Sequence, residues 1–368
     1  MIQYYLRSFY RRSPLKPSRW RSLYRSYIRI SFILTVSSFL FVIFHAISII
    51  QLNDAESDLS DIIISLTSTR ARFHCELPLA IHSLLCQKQL PKQIRIYLSP
   101  TFEITKHKNL TLSHLKLSVQ RLDPSKPIAR LFDRLVQIRL EEEDYGPGTK
   151  FLSIIKEFSS KSQIIMICDD DYYYHPFTVS TLMEYSHQFP NSIIGLRGWR
   201  IREDLTWGVA GKYEMAYHII ESYFISDVYR VGVITANAAY LIRPSFFNAD
   251  IYAAFNQAPN DIRHVDDIWL SGQAAKQNIA RYVVPSCCSH IDITRTHVLE
   301  EYLVKNSMSR RSANNRALQW FNQSWENYLW YRFNGENAPK YRSWRVLFYR
   351  EWVSLLLQFK FNVYFGSI

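Results

Sequence analysis

Three consecutive aspartates, Asp169, Asp170 and Asp171, close an apolar run in QIIMICDDDYYYHP (163–176). Adjacent carboxylates repel one another, and a bound cation relieves the repulsion. Asp169 and Asp171 can both reach one ion, directly or through water, once the strand gives way to a turn. Hard divalent ions such as Mg2+ or Mn2+ prefer carboxylate oxygens and keep positions open for phosphate oxygens. The bland alternative is a solvated acidic loop, or a cap for a helix starting near Pro176. A second acidic pair, Asp266 and Asp267, precedes IWLSGQAAKQ (268–277), a helical pattern that turns Ile268, Trp269 and Leu270 inward. Asp266 alone could be a helix cap.

The elements that must position these acids alternate. DIIISL (61–66) is a continuous apolar run, the mark of a strand covered on both faces. CELPLAIHSLLCQ (75–87) reads as a helix, with Leu77, Ile81, Leu84 and Leu85 at helical spacing. QIRIYL (93–98) alternates like a strand, PIARLFDRL (127–135) is helical, and VQIRLE (136–141) is again a strand. GPGTK (146–150) breaks the chain, and TKFLSIIKEF (149–158) restarts it as a helix before the strand 163–168. Strand and helix in alternation with short connections predict an α/β domain with a mainly parallel sheet. Ligands of such sheets bind beyond the carboxyl ends of the strands, where the three aspartates stand.

The chain has 368 residues and a formal charge of +12. Eight of the basic residues lie in 1–29 with no acid among them, which leaves 12 − 8 = +4 for everything else. The basic balance is therefore an N-terminal feature, and no nucleic-acid partner is expected from it. ISFILTVSSFLFVIFHAISII (30–50) has no formally charged residue. At about 1.5 Å rise per residue, roughly 20 apolar residues cross a hydrocarbon core. Basic residues before the run and acids after it predict a transmembrane signal anchor with a cytosolic N-terminus. A cleaved signal peptide is the rival reading. Residues 51–60 form a short polar stem, and everything beyond it is expected to face the lumen or the exterior. The sequons Asn109-Leu-Thr111 and Asn322-Gln-Ser324 agree with that side. The five cysteines, Cys75, Cys86, Cys168, Cys287 and Cys288, make no disulfide scaffold. Cys75 and Cys86 would stand about 16 Å apart on one helix, too far to pair. A bridge from either to Cys287 or Cys288 stays open.

Five segments then fall in order: DIIISLTSTRARF (61–73), DYGPGTKFL (144–152), CDDDYYYHP (168–176), ANAAYLIRPSFF (236–247) and HVDDIWLSG (264–272). Over about residues 61–290 this series resembles the family 2-like glycosyltransferases of GT-A fold. The acceptor-side segment departs from the pattern, since Thr235-Ala236-Asn237 stands where a more glycine-rich stretch is expected.

The resemblance implies a GT-A (Rossmann-like) α/β domain over 61–300, a mainly parallel sheet flanked by helices. The N-terminal transmembrane helix precedes it, and an aromatic-rich helical C-terminal extension (301–368) follows. It implies Mn2+ or Mg2+ held by Asp169 and Asp171, with His290 as third ligand and His297 as a weaker candidate. Thr67, Ser68, Arg70 and Arg72 follow the first strand and would hold the base, ribose and phosphate of a nucleotide-sugar donor together with Asp169 and Asp170. Lys150, at a helix start, would meet phosphate as a point charge. Asp267, with Asp266 beside it, would be the base of an inverting transfer, taking the proton from an acceptor hydroxyl. Trp199, Arg200 and Trp207 offer faces for a sugar or for core packing. In the extension, Trp344, Phe348, Trp352, Leu355, Leu356 and Phe359 share one helical face, packed on the domain or lying on a membrane surface.

The function expected is thus metal-dependent, inverting sugar transfer to a glycan, glycoprotein or glycolipid hydroxyl. It would be carried out by a single-pass type II protein of the Golgi or endoplasmic reticulum membrane. Two alternatives stand beside it. One is a metal-dependent nucleotidyltransferase, which needs no acceptor base. The other is a non-catalytic anchored protein that binds sugar nucleotides or serves as a scaffold.

Overall fold

The structure is a computed structural model, and it describes residues 59–100, 108–158, 162–202, 204–207, 219–287, 290–295, 305, 309–325, 329–330 and 339–343. The basic tail, the apolar run 30–50, most of the stem, Cys288, His297 and the aromatic face 344–359 lie outside these residues. Among the described residues no helix is long and apolar enough to cross a membrane. The chain divides into two units, Met1–Gln51 and Leu52–Ile368, and every described residue belongs to the second.

The first half runs β1 (Ile63–Thr67), α1 (Glu76–Leu85), β2 (Gln93–Leu98), α2 (Lys108–Leu122), α3 (Lys126–Leu135), β3 (Val136–Leu140), α4 (Thr149–Glu157) and β4 (Ile165–Ile167). The short β5 (Tyr172–Tyr173), α5 (Thr178–Gln188), β6 (Ser192–Gly195), β7 (Arg197–Trp199), β8 (Ile201–Arg202), β9 (Ile219–Glu221), β10 (Tyr229–Arg230) and β11 (Val233–Ile234) come next. The chain continues through β12 (Tyr240–Ile242), α6 (Ile251–Gln257), α7 (Asn260–Arg263), α8 (Asp266–Lys276), β13 (Ala280–Val283), β14 (Ile291–Asp292), α9 (Arg310–Trp320) and β15 (Leu329–Trp330).

Eight strands form the main sheet in the order β10-β13-β6-β12-β4-β1-β2-β3. β3, β2, β1 and β4 are mutually parallel. β12 is antiparallel to both β4 and β6, and β13 is parallel to β6. The carboxyl ends of β1, β4, β6 and β13 therefore share one edge, and the antiparallel β12 begins there. The expectation of a mainly parallel sheet is met, with β12 and β10 running against the rest.

The continuous apolar runs have the predicted cause. Ile63, Ile165 and Ile167 face one core with Phe151, Leu152 and Ile155 of α4 and Trp269 and Leu270 of α8. Their neighbours Ile62, Ile64, Met166 and Cys168 face the other core, with Leu77, Ile81, Leu84 and Leu85 of α1. Alternate residues of one strand are thus buried on opposite faces, so no polar position interrupts the run. The helix α2 is absent from the sequence reading. Its leucines at 110, 112, 115 and 117 and its valine at 119 mix periods of two and three, whereas the buried positions among its described side chains are Thr111, Leu115 and Val119, spaced by four. No disulfide joins Cys75 or Cys86 to Cys287.

Candidate active site

The strand end at Cys168 is tied down before its acids emerge. Cys168 N–H donates to the Ser65 carbonyl of β1 at 3.2 Å. The Tyr174 hydroxyl donates to the Asp169 carbonyl and accepts from the Asp169 N–H, both at 2.9 Å. Tyr174, the third residue after the aspartates, thus closes the turn that presents them.

The three aspartates divide between two cations, Arg72 and Lys150. Asp170 is buried, accepts from the Ser68 hydroxyl at 2.5 Å, and pairs with Arg72 at 3.0 Å. The same Arg72 nitrogen lies 2.9 Å from Asp171 Oδ2, which also accepts from the Thr294 hydroxyl at 3.0 Å. Asp169 is half-buried and accepts from Lys150 Nζ at 2.6 Å. Burial raises the proton affinity of Asp170, with Arg72 opposing it. Burial, then Asp169 and Asp170, push Asp171 up to about 7 against the pull of Arg72 and Thr294. Asp171 Oδ1 is buried without a hydrogen-bond partner. An orphaned carboxylate oxygen among three neighbouring acids fits a hard cation. Among the described residues, however, no group of three or more His, Cys, Asp or Glu side chains is arranged to hold an ion. His290 therefore does not complete a site with Asp169 and Asp171 here. Its ring stands edge-on to Tyr172 at 4.9 Å, and burial, aided by Arg197, pushes it down to about 3, against Asp292 and Asp169.

Lys150 departs from its expected role. Gly146, at φ +57°, turns the chain into α4, which buries the Lys150 side chain instead of opening it to a phosphate. Its ammonium bridges Asp169 at 2.6 Å and Asp266 at 2.7 Å. Burial works against that charge, but Asp169, Asp266 and Asp267 overcome it, holding the ammonium above the ordinary lysine range. The lysine is a strut between the two acidic motifs.

At the start of α8 the cap position is taken by Val265, not Asp266. Asp266 is sealed against Lys150, and Asp267 stays half-buried, its Oδ1 accepting the Ala236 N–H at 3.0 Å. Burial, then Asp266, push Asp267 up to about 8, with Lys150 opposing. Acids in a first helical turn also face the positive end of the helix. Of the remaining donor-side candidates, Thr67 donates to the Tyr97 carbonyl at 2.7 Å, and Arg70 is exposed at the mouth of the β1 loop. Trp199 and Trp207 stack on each other at 3.9 Å, Trp199 buried in the core and Trp207 half-buried against it, and Arg200, next to Trp199 in sequence, is buried as well.

Some residues of the site carry no local sequence signal. Arg197 reaches Thr235 at 3.3 Å, Asn237 at 3.4 Å and Glu221 at 3.4 Å, and Asn237 donates to the Tyr172 hydroxyl at 3.3 Å. Tyr240 is fully buried, its hydroxyl lacks a hydrogen-bond partner, and Asp267, Lys150, Asp266 and Asp169 all act on it. Ala239, one residue earlier, sits at φ +74° and ψ +147°, a conformation natural to glycine and strained for alanine. The acceptor-side segment thus has a glycine-like backbone at Ala239, two residues beyond the Thr235-Ala236-Asn237 stretch where glycine is expected.

No protein-family model matches the chain, and no curated protein matches it. Among solved structures, it is similar to the mannosyltransferase PcManGT from Pyrobaculum calidifontis in complex with GDP-Man and Mn2+, at 10% identity and a TM-score of 0.38, over 80% of this chain and 85% of that one. Apo UDP-glucose pyrophosphorylase matches at 10% identity and a TM-score of 0.38, over 73% of this chain and 98% of the other. S. aureus TarS matches at 12% identity and a TM-score of 0.35, over 74% of this chain and 44% of the other. Superpositions this loose carry no function across.

Proposed function

We propose that the chain is a metal-dependent glycosyltransferase that moves a sugar from a nucleotide-sugar donor to an acceptor hydroxyl with inversion. One observation carries the reading: Lys150 joins the aspartate cluster at the end of β4 to the acidic pair at the start of α8, with contacts of 2.6 and 2.7 Å. That link supports reading the two acidic motifs as one site, with a phosphate-facing half and a base, at one edge of the sheet.

Asp169 and Asp171 would hold the divalent ion, Mn2+ or Mg2+, which when bound supplies positive charge to the departing diphosphate. Ser68, Arg70 and Arg72, beyond β1, bind and orient the donor's polar groups. Asp267 takes the acceptor proton. Its raised proton affinity suits a base working near neutral pH. Asp266, neutralised by Lys150, is spent on position. A nucleotidyltransferase would share the metal-facing acids but has no need of Asp267. The basic tail and the apolar run support an anchored type II orientation in the Golgi or endoplasmic reticulum, with residues 51–368 lumenal.

The test is a panel of UDP- and GDP-sugars with Mn2+ against the purified full-length chain, read by thermal shift. A donor present at 100 times its dissociation constant adds about 2.7 kcal/mol of stability. No stabilisation by any donor, with or without the ion, would end the reading.

A further inference from the structure

We infer that Arg72 is a displaceable placeholder in the aspartate site: it holds Asp170 and Asp171 until a divalent ion and a diphosphate arrive together, then passes to the diphosphate. The inference rests on the donor-binding reading above and adds a coupling to it. Arg72 places one guanidinium nitrogen 3.0 Å from Asp170 and 2.9 Å from Asp171, so one protein cation serves two carboxylates. Asp171 Oδ1 is left buried and without a hydrogen bond, so the arginine satisfies only part of the acid.

The two internal cations of the site differ. Lys150 is sealed, its side chain 5% exposed, whereas that of Arg72 is 16% exposed at the loop beyond β1. The Arg72 backbone is fixed: its N–H donates to Thr69 O at 3.1 Å, and its carbonyl accepts from Leu77 N–H at 3.0 Å. The guanidinium can therefore swing on a long side chain while its anchor stays put.

The charges decide the order of events. An ion entering alone must displace the arginine and leave that guanidinium without its acids, which is costly in a partly buried place. A diphosphate entering alone draws Arg72 away and leaves Asp170 and Asp171 without their counter-charge beside it, while Asp169 stays with Lys150. When both arrive, the ion takes the carboxylates and the arginine takes phosphate oxygens, for which its planar fork is well shaped. Each ligand then raises the affinity for the other by the same factor.

The experiment titrates Mn2+ by calorimetry into the purified full-length chain, without nucleotide and with saturating UDP or GDP. In the wild type, the nucleotide is expected to tighten Mn2+ binding by roughly 5–150-fold, the usual range of such coupling. Arg72→Gln is expected to bind Mn2+ at least about fivefold tighter than wild type without nucleotide, and to lose most of the nucleotide's effect. Arg72→Lys, which keeps the charge, should bind the lone ion as weakly as wild type. Circular dichroism checks the fold of each variant, and the wild-type coupling stands as a test by itself if glutamine does not fold. Mn2+ affinity unchanged or lower in folded Arg72→Gln would overturn the inference. So would a wild-type chain that binds UDP or GDP equally well with and without Mn2+, since Arg72 would then be a permanent counter-ion. Both of those outcomes leave nucleotide binding intact. Failure of any chain to bind either ligand would instead remove the donor-binding reading, and the inference with it.

Discussion

Asp266 and Asp267 are neighbours of the same type with different surroundings, which makes them controls for each other. Asp267→Asn is expected to leave donor binding near wild type and lower turnover by about two to four orders of magnitude. Asp266→Asn should cost far less turnover, because that carboxylate already belongs to Lys150. A base must work deprotonated, and burial holds Asp267 up to about 8, so under the proposed role kcat/KM should be low in acid and rise as pH climbs through about 8. A flat profile, or a loss confined to Asp266→Asn, would reassign the base. Lys150→Met leaves buried Asp266 without its counter-charge and should cost about 3–5 kcal/mol in denaturant unfolding. Adding Asp266→Asn should recover part of that loss, and strict additivity would refute the strut. The two acidic motifs were legible in the sequence because their residues are contiguous and follow strand or helix patterns. The partners were not. Thr294 meets Asp171 across more than a hundred residues, and the burial of Lys150 depends on how α4 lies against β1 and on its Phe151 stacking with Trp269 of α8. Local spacing marks a lysine at a helix start but not the direction its ammonium takes.

α8 carries both acids at its first turn and Gly272 one turn and a half later, where α9 and the turn after it pack. A Cβ on Gly272 would lie 2.4 Å from the Phe321 ring. On an exposed helix, alanine for glycine gains about 1 kcal/mol. Overpacking costs about 1–3 kcal/mol, so Gly272→Ala should destabilise the wild type by up to about 2 kcal/mol. In a Phe321→Ala background the clash is gone and the same substitution should stabilise. The check is a double-mutant cycle of unfolding free energies, and a destabilisation of equal size in both backgrounds would reject this contact as the cause. At this scale the parallel half of the fold was readable, since strands buried on two faces leave continuous apolar runs. The reversed β12 was not, because YLI is equally apolar whichever way it pairs. Nor was α2, where mixed leucine spacing hides a buried face formed, among the described residues, by Thr111, Leu115 and Val119.

Over the whole molecule, the proposed lumenal orientation has a marker in the two sequons. Asn322 is exposed in the turn that follows α9, whereas Asn109 lies within α2 with Thr111 buried. In a secretory cell, Asn322→Gln should therefore abolish the glycosidase-sensitive mobility shift, and Asn109→Gln should leave it. An unshifted wild-type chain would count against the orientation. The sheet order has a separate consequence for how such a chain is born. β1 is already available to β4 when β4 is made, but its other neighbour, β12, is synthesised only after β5 to β11 have appeared. At about 5–20 residues per second, the nascent chain spends several seconds with a fully apolar strand edge unpaired. β6 waits too, since both of its neighbours, β12 and β13, come later still. An unpaired edge is a template for pairing with another chain. The reversed strand that completes the candidate active site thus also makes biosynthesis hazardous: a chain stalled before Tyr240 should be a substrate for chaperones and proteases rather than a folding intermediate at rest.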